Sequence, residues 1–255
     1  MGMGVIGLLL AVLIGISLGL LGGGGSILTV PVLVYVLGFG AKEAVTTSLV
    51  VVGVASLFGA VGHWRQGDVN LRIALTFGAI ATVGAYAGAR LAVFFSGSAQ
   101  LLLLAGVMLA AASFMFRERS AAGAEKGSAG GFSVGLAALG AGVGILTGLV
   151  GVGGGFLIVP ALVLLGGMAM REAVGTSLPV ISINAAAGFV GHLGNVDVRW
   201  SFVALFTAAA VAGIFGGTHL AGYVPQGILR KSFAVFLVAV GIFVVYQNRG
   251  ALPVV

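Results

Sequence analysis

Two decapeptides could do chemistry with backbone rather than side chains: Gly22–Pro31, GGGGSILTVP, and Gly151–Pro160, GVGGGFLIVP. Gly22, Gly23, Gly24, Gly25 and Ser26 in the first, and Gly151, Gly153, Gly154 and Gly155 in the second, stand inside strongly apolar sequence. Glycine costs a helix interior roughly 1 kcal/mol relative to alanine, so each run predicts a break. A helix restarting after such a break presents free N–H groups and the positive end of its dipole, which suits an anion. No Lys-Ser/Thr pair follows, and neither run completes G-x-G-x-x-G, so a nucleotide loop is not implied.

Hydroxyls and one amide add to this set. Thr46-Thr47-Ser48 and Gly175-Thr176-Ser177 open apolar segments; such hydroxyls either donate to a ligand or bond back to a carbonyl of their own helix. Asn184, with Ser182 beside it and Pro179 before it, lies in an apolar span, where a buried amide needs a partner and can bind substrate. His63 and His192 end matching segments ahead of polar loops, as proton or gating groups or as residues that hold a loop carbonyl. Lys42-Glu43 and Arg171-Glu172 precede the hydroxyls. Glutamate in a first turn complements the helix dipole, which predicts a structural role.

What is missing narrows the chemistry. The six acids are Glu43, Asp68, Glu118, Glu125, Glu172 and Asp197, none of them mid-span. That disfavours a cation substrate, which needs an intramembrane carboxylate. With no cysteine there is no disulfide or thiolate site. Three scattered histidines predict neither a metal centre nor any other cofactor, and no histidine lies within helical reach of Ser26 or Ser48, so a hydrolase is not expected.

The elements that must position these groups lie in a membrane. Hydrophobic residues make up 60% of the 255 and charged residues only 7%, with a mean hydropathy of +1.22. A soluble surface needs far more charge. The expectation is an all-α, polytopic integral membrane protein in contact with the bilayer. The 12 Lys/Arg sit in or near polar breaks, which reads as positive-inside anchoring rather than nucleic-acid binding. Glycines at small-xxx-small spacing, such as Gly15/Gly19/Gly23, Gly84/Gly88, Gly140/Gly144/Gly148 and Gly213/Gly217, predict close helix packing. The apolar start reads as a retained first helix.

The chain reads as one unit repeated. An offset of 129 (151 − 22) aligns the glycine runs, Pro31 with Pro160, Glu43-Ala44-Val45 with Glu172-Ala173-Val174, Thr47-Ser48-Leu49 with Thr176-Ser177-Leu178, His63 with His192, and Asp68 with Asp197. Over residues 15–72 against 144–201 there are 26 identities in 58 positions. The expected division is a first transmembrane repeat at 1–116, a polar linker at 117–131, and a second repeat at 132–255. Each repeat holds four or five hydrophobic segments, eight to ten in total. The segments at 26–38 and 155–167 span only about 20 Å as helices, short of a roughly 30 Å hydrocarbon core. If they do not cross, the repeats are parallel; if they do, the repeats are inverted. Basic residues divide 7 to 5 in the first scheme and 8 to 4 in the second, a slight lean toward inversion.

The paired Gly-rich/Pro motifs, the K/R-E-A-V-x-T-S-L motif and the following Gly-His resemble the TauE/SafE family, the sulfite and organosulfonate exporters also called the toluene-sulfonate uptake permease group. The resemblance spans about residues 5–247. It implies a multi-pass permease of a bacterial-type inner membrane for small sulfur-containing anions or related carboxylates. The implied mechanism is alternating access around a site between the repeats, and a homodimer is compatible with it. Gly23 becomes Val152 and Ser26 becomes Gly155, so the two halves of that site differ chemically. The competing reading is a passive anion channel or a membrane subunit of a larger transport complex.

Overall fold

The computed structural model describes residues 2–117, 134–150, 155–164, 166–192 and 199–249. Ten α-helices are found among them: α1 (Gly2–Leu21), α2 (Gly24–Pro31, continued by a wider turn over Val32–Val36), α3 (Ala41–Arg65), α4 (Leu71–Leu91), α5 (Gly97–Arg117), α6 (Val134–Val150), α7 (Gly155–Leu164), α8 (Met170–His192), α9 (Trp200–Ala221) and α10 (Gln226–Gln247). Five of them, α3, α4, α8, α9 and α10, are long and apolar enough to cross a membrane.

Small residues set the packing. A Cβ on Gly15 or Gly19 of α1 would run into the backbone of Ala210, Ile214 or Gly217 of α9, and one on Gly213 or Gly217 into Val12 or Ile16. Contacts that advance together along both chains make α1 and α9 parallel. Gly84 and Gly88 of α4 meet Ala141 and Ile145 of α6, and Gly144 and Gly148 meet Ala81 and Ala85, again in parallel. Without a hydrophobic drive between lipid-bathed helices, such backbone approach is what dispersion and packing reward. Helices α3 and α8 fill the middle and run antiparallel: Gly59 touches Leu178, Gly53 touches Ala185, and Gly188 touches Leu49.

The short segments return across the bundle. Gly25 packs on Ile14 and Leu18 of α1, whereas Leu37 reaches Gly7. Helix α2 and its extension therefore run back beside α1, and α3 sets out again in the direction of α1, its His63 meeting Gly19. Helix α7 likewise runs counter to α8, from Gly155 beside Ile181 to the turn that starts α8. Both short segments end alike. Phe39 N–H donates to Leu33 O and Met168 N–H to Leu162 O, around Gly38 (φ 71°) and Gly167 (φ 62°). Glycine reaches that left-handed region without the Cβ penalty of other residues. Pro31 lacks the N–H of a regular turn, and the wider turn begins directly after it.

Candidate functional site

The glycine breaks meet. Gly22 ends α1 with φ 60°, and Gly23 lies with its backbone against that of Gly155; a Cβ on either would overlap the other. Gly155 also touches Ile181, the central residue of α8, with 11 residues on either side. Since α2 starts at Gly24 and α7 at Gly155, two helix N-termini face each other at mid-depth and diverge toward opposite ends of the bundle. Each N-terminus carries about half a positive charge, so abutting them costs energy that an anion would offset. The Gly23–Gly155 contact leaves no space between the two backbones. Gly151, Gly153 and Gly154 lie outside the described residues.

The hydroxyls divide. Ser26 Oγ donates to Gly23 O at 2.6 Å, Ser48 Oγ to Val45 O at 2.8 Å, and Ser177 Oγ to Val174 O at 2.8 Å. All three bond back to carbonyls of their own turn, as serine in a membrane helix can. Ser177 nonetheless lies against the break, because a Cβ on Gly22 would come within 2.9 Å of its Oγ. Thr176 Oγ1 accepts from Asn70 N–H at 2.9 Å. Thr47 Oγ1 is buried without a hydrogen-bond partner.

Asn184 is fully buried. The Thr82 hydroxyl of α4 lies 2.9 Å from Asn184 Oδ1 and 2.7 Å from Gly78 O of its own helix, so one hydrogen is shared between two acceptors, and Asn184 Nδ2 has no partner. Ser56 of α3, between Gly53 and Gly59, lies at the depth of Ile181 across the α3–α8 crossing, and its Oγ is also buried and unpaired. Thr29 of α2 is a third such hydroxyl. Buried donors without acceptors cost about 1–3 kcal/mol each. Asn184, Ser56 and Thr29 lie on α8, α3 and α2, and further such groups lie on α9 (Thr207, Thr218) and at the ends of α8 (Arg171 Nε, His192 Nε2). Thr82, Ser56 and Thr29 were not singled out from sequence, although a hydroxyl inside an apolar span is the same signal that marks Asn184.

The histidines lie at the ends of α3 and α8. His63 Nε2 is 3.0 Å from Gly19 O and Nδ1 is 3.7 Å from Asp68 Oδ2. His192 Nδ1 is 2.9 Å from Gly188 O of its own helix.

The paired glutamates tie the halves together. Arg199 Nε donates to Glu43 Oε1 at 2.8 Å, and Asn70 Nδ2 donates to Glu172 Oε1 at 3.2 Å. Each glutamate begins one central helix and holds the residue that precedes α9 or α4. Because α3 and α8 are antiparallel, the two ties lie at opposite ends of the bundle.

Apolar helices packed through glycine, with opposed half-helices at mid-depth, define a multi-pass membrane protein of the transporter kind. The chain belongs to the sulfite exporter TauE/SafE family, whose model matches residues 7–244; its members are membrane transporters rather than enzymes. A probable membrane transporter protein of Xylella fastidiosa (strain Temecula1) is 32% identical over 245 residues, covering 94% of each chain. The probable membrane transporter protein YdhB of Bacillus subtilis is 25% identical over 236 residues, covering 90% of this chain and 94% of that one. No solved structure matches.

Proposed function

We propose that this transporter is a secondary carrier for a small anion, with sulfite, an organosulfonate or a related sulfur-containing or carboxylate anion as substrate class. The meeting of the α2 and α7 N-termini carries this reading. Opposed half-helix N-termini at mid-depth are a recurrent way to hold an anionic group in a bilayer. The unpaired Asn184 Nδ2 and Ser56 Oγ supply donors, and the missing mid-span carboxylate spares the anion a repulsion. In this reading residues 1–116 and 132–255 are inverted repeats, since α3 and α8 are matched in sequence and opposite in direction. The closed Gly23–Gly155 contact is then one stage of a cycle, and the substrate enters as the halves separate. The Glu43–Arg199 and Asn70–Glu172 ties serve as the closures at the two faces, and the membrane is the plasma membrane of a bacterial-type cell.

The test is a thermal-shift screen of the purified chain against sulfite, sulfate, thiosulfate, sulfonates and small carboxylates, followed by counterflow in proteoliposomes. Saturable counterflow of a stabilising anion is expected. Stabilisation by none of them removes the anion site, and flux without counterflow makes the protein a channel.

A further inference from the structure

Both ring nitrogens of the His63 imidazole face acceptors. Nε2 lies 3.0 Å from the Gly19 carbonyl and Nδ1 lies 3.7 Å from the Asp68 carboxylate. A neutral imidazole has one N–H. With that hydrogen on Nε2, the Nδ1 lone pair points at a carboxylate from a ring that is 0% exposed. One further proton turns this repulsion into an ion pair and gives both nitrogens a partner. Asp68 is 19% exposed, which gives that proton a way in from water. Among the described residues, the charged groups that act on His63 are Asp68, from the loop after α3, and Arg171, from the start of α8. The guanidinium of Arg171 is bonded to the carbonyls of Gly222 and Val224.

Its neighbours make this site more than a surface pair. Gly19 is in the last turn of α1, three residues before the Gly22 break. The Asp68 backbone packs on Gly175 of α8, whose neighbour Val174 touches Gly22. The His63 carbonyl closes the loop by accepting from Gln66 and Asp68 N–H, both at 3.1 Å. One proton site therefore bridges α1, α3, the loop before α4 and, through Asp68, α8. Among the described residues the matched histidine shows no such bridge: the bond of His192 to Gly188 stays within α8. The acid matched to Asp68 is Asp197, outside the described residues.

We infer that His63 and Asp68 together bind a proton, that its uptake draws the loop and the end of α1 onto α8, and that this proton accompanies the transported anion. The last clause rests on the carrier reading; the first two do not. The chain has no cysteine, so a single reporter thiol is unambiguous. In Val69→Cys protein, the rate of alkylation by a hydrophilic maleimide is measured at pH 8 and pH 6, each relative to a Ser96→Cys control in the exposed turn before α5. The expected result is a relative rate at least about five-fold lower at pH 6, with no pH dependence once His63→Gln or Asp68→Asn is added. A flat profile without those changes, or an unchanged pH response with His63→Gln, overturns the proton site. Coupling is then read with ethanesulfonate, which takes up no proton of its own, in proteoliposomes holding a pH dye. The expected result is proton movement with sulfonate flux, abolished by His63→Gln while sulfonate counterflow persists. Flux without proton movement overturns the coupling. Absence of any sulfonate binding or flux counts against the carrier reading, and the reporter thiol still decides the proton site.

Discussion

Glu43 and Arg199 lie 156 residues apart in the chain, yet Arg199 Nε donates to the Glu43 carboxylate at 2.8 Å. The Arg199 guanidinium also stacks 3.8 Å over the Phe39 ring. At the positions offset by 129 (172 − 43 and 199 − 70), Glu172 accepts from Asn70 at 3.2 Å. One end of the bundle is thus tied by an ion pair and the other by an amide.

Weakening the ion pair should free that end without unfolding the protein. Exposed pairs contribute about 0.2–1 kcal/mol, and the Arg199 side chain is 58% exposed. Glu43→Gln is expected to leave Tm nearly unchanged. It should raise alkylation of a reporter cysteine beside Arg199 by roughly 1.4- to five-fold, the factor that such an energy corresponds to. Glu43→Arg combined with Arg199→Glu should restore the original rate, and high salt should mimic Glu43→Gln. No change in alkylation would mean that the pair closes nothing.

At the centre the sensitivity should be steric. Gly23→Ala or Gly155→Ala places a Cβ inside opposing backbone, and forced overpacking costs about 1–3 kcal/mol. Both are expected to lower Tm and abolish flux. Gly106→Ala, with open space around it, should preserve both. Full transport by Gly23→Ala would show that the breaks need not touch during the cycle.

The amide makes a different prediction. A hydrogen bond to a charged group contributes about 1.5–3 kcal/mol, so Asn184→Ala should weaken anion binding roughly ten-fold or more in a thermal-shift titration. Thr82→Val, which removes the hydroxyl beside Asn184 Oδ1, should give a smaller loss because it only frees the amide to rotate. Equal affinities in all three proteins would assign Asn184 to packing.

Ser48→Ala combined with Ser177→Ala tests the helix-opening hydroxyls. Each donates to a carbonyl of its own turn, so Tm should shift little. Ser177 adjoins Gly22, and a several-fold rise in KM is expected. An unchanged KM would leave both as helix-internal hydroxyls.

The helical membrane architecture was legible from composition, and the breaks were legible because four glycines contradict the helix around them. The spacing of Gly15, Gly19, Gly213 and Gly217 announced close packing and left the partner open, because any small-residue face suits any other. The direction of the short segments was not legible: 13 apolar residues fit either a re-entrant piece or a return pass. It became visible only where Gly25 and Leu37 meet α1 at separate levels. In sequence, Glu43 and Glu172 read as complements to their own helix dipoles. Their partners, Arg199 and Asn70, occupy matched positions in the aligned loops, but unlike residue types at one register suggest no shared task. Asn184 stood out as an amide, whereas Thr82 and Ser56 did not, because hydroxyls in membrane helices commonly satisfy themselves.

The antiparallel crossing of α3 and α8 has a thermodynamic corollary. If a cycle turns about that crossing, its two end states repeat one scaffold with unlike bolts, so their energies differ and the empty protein waits on one side. Such a bias cannot make transport one-way, because a resting preference cancels around a closed cycle. Net direction must come from gradients outside the protein, and the unequal bolts set only the resting side and how fast each half-cycle runs.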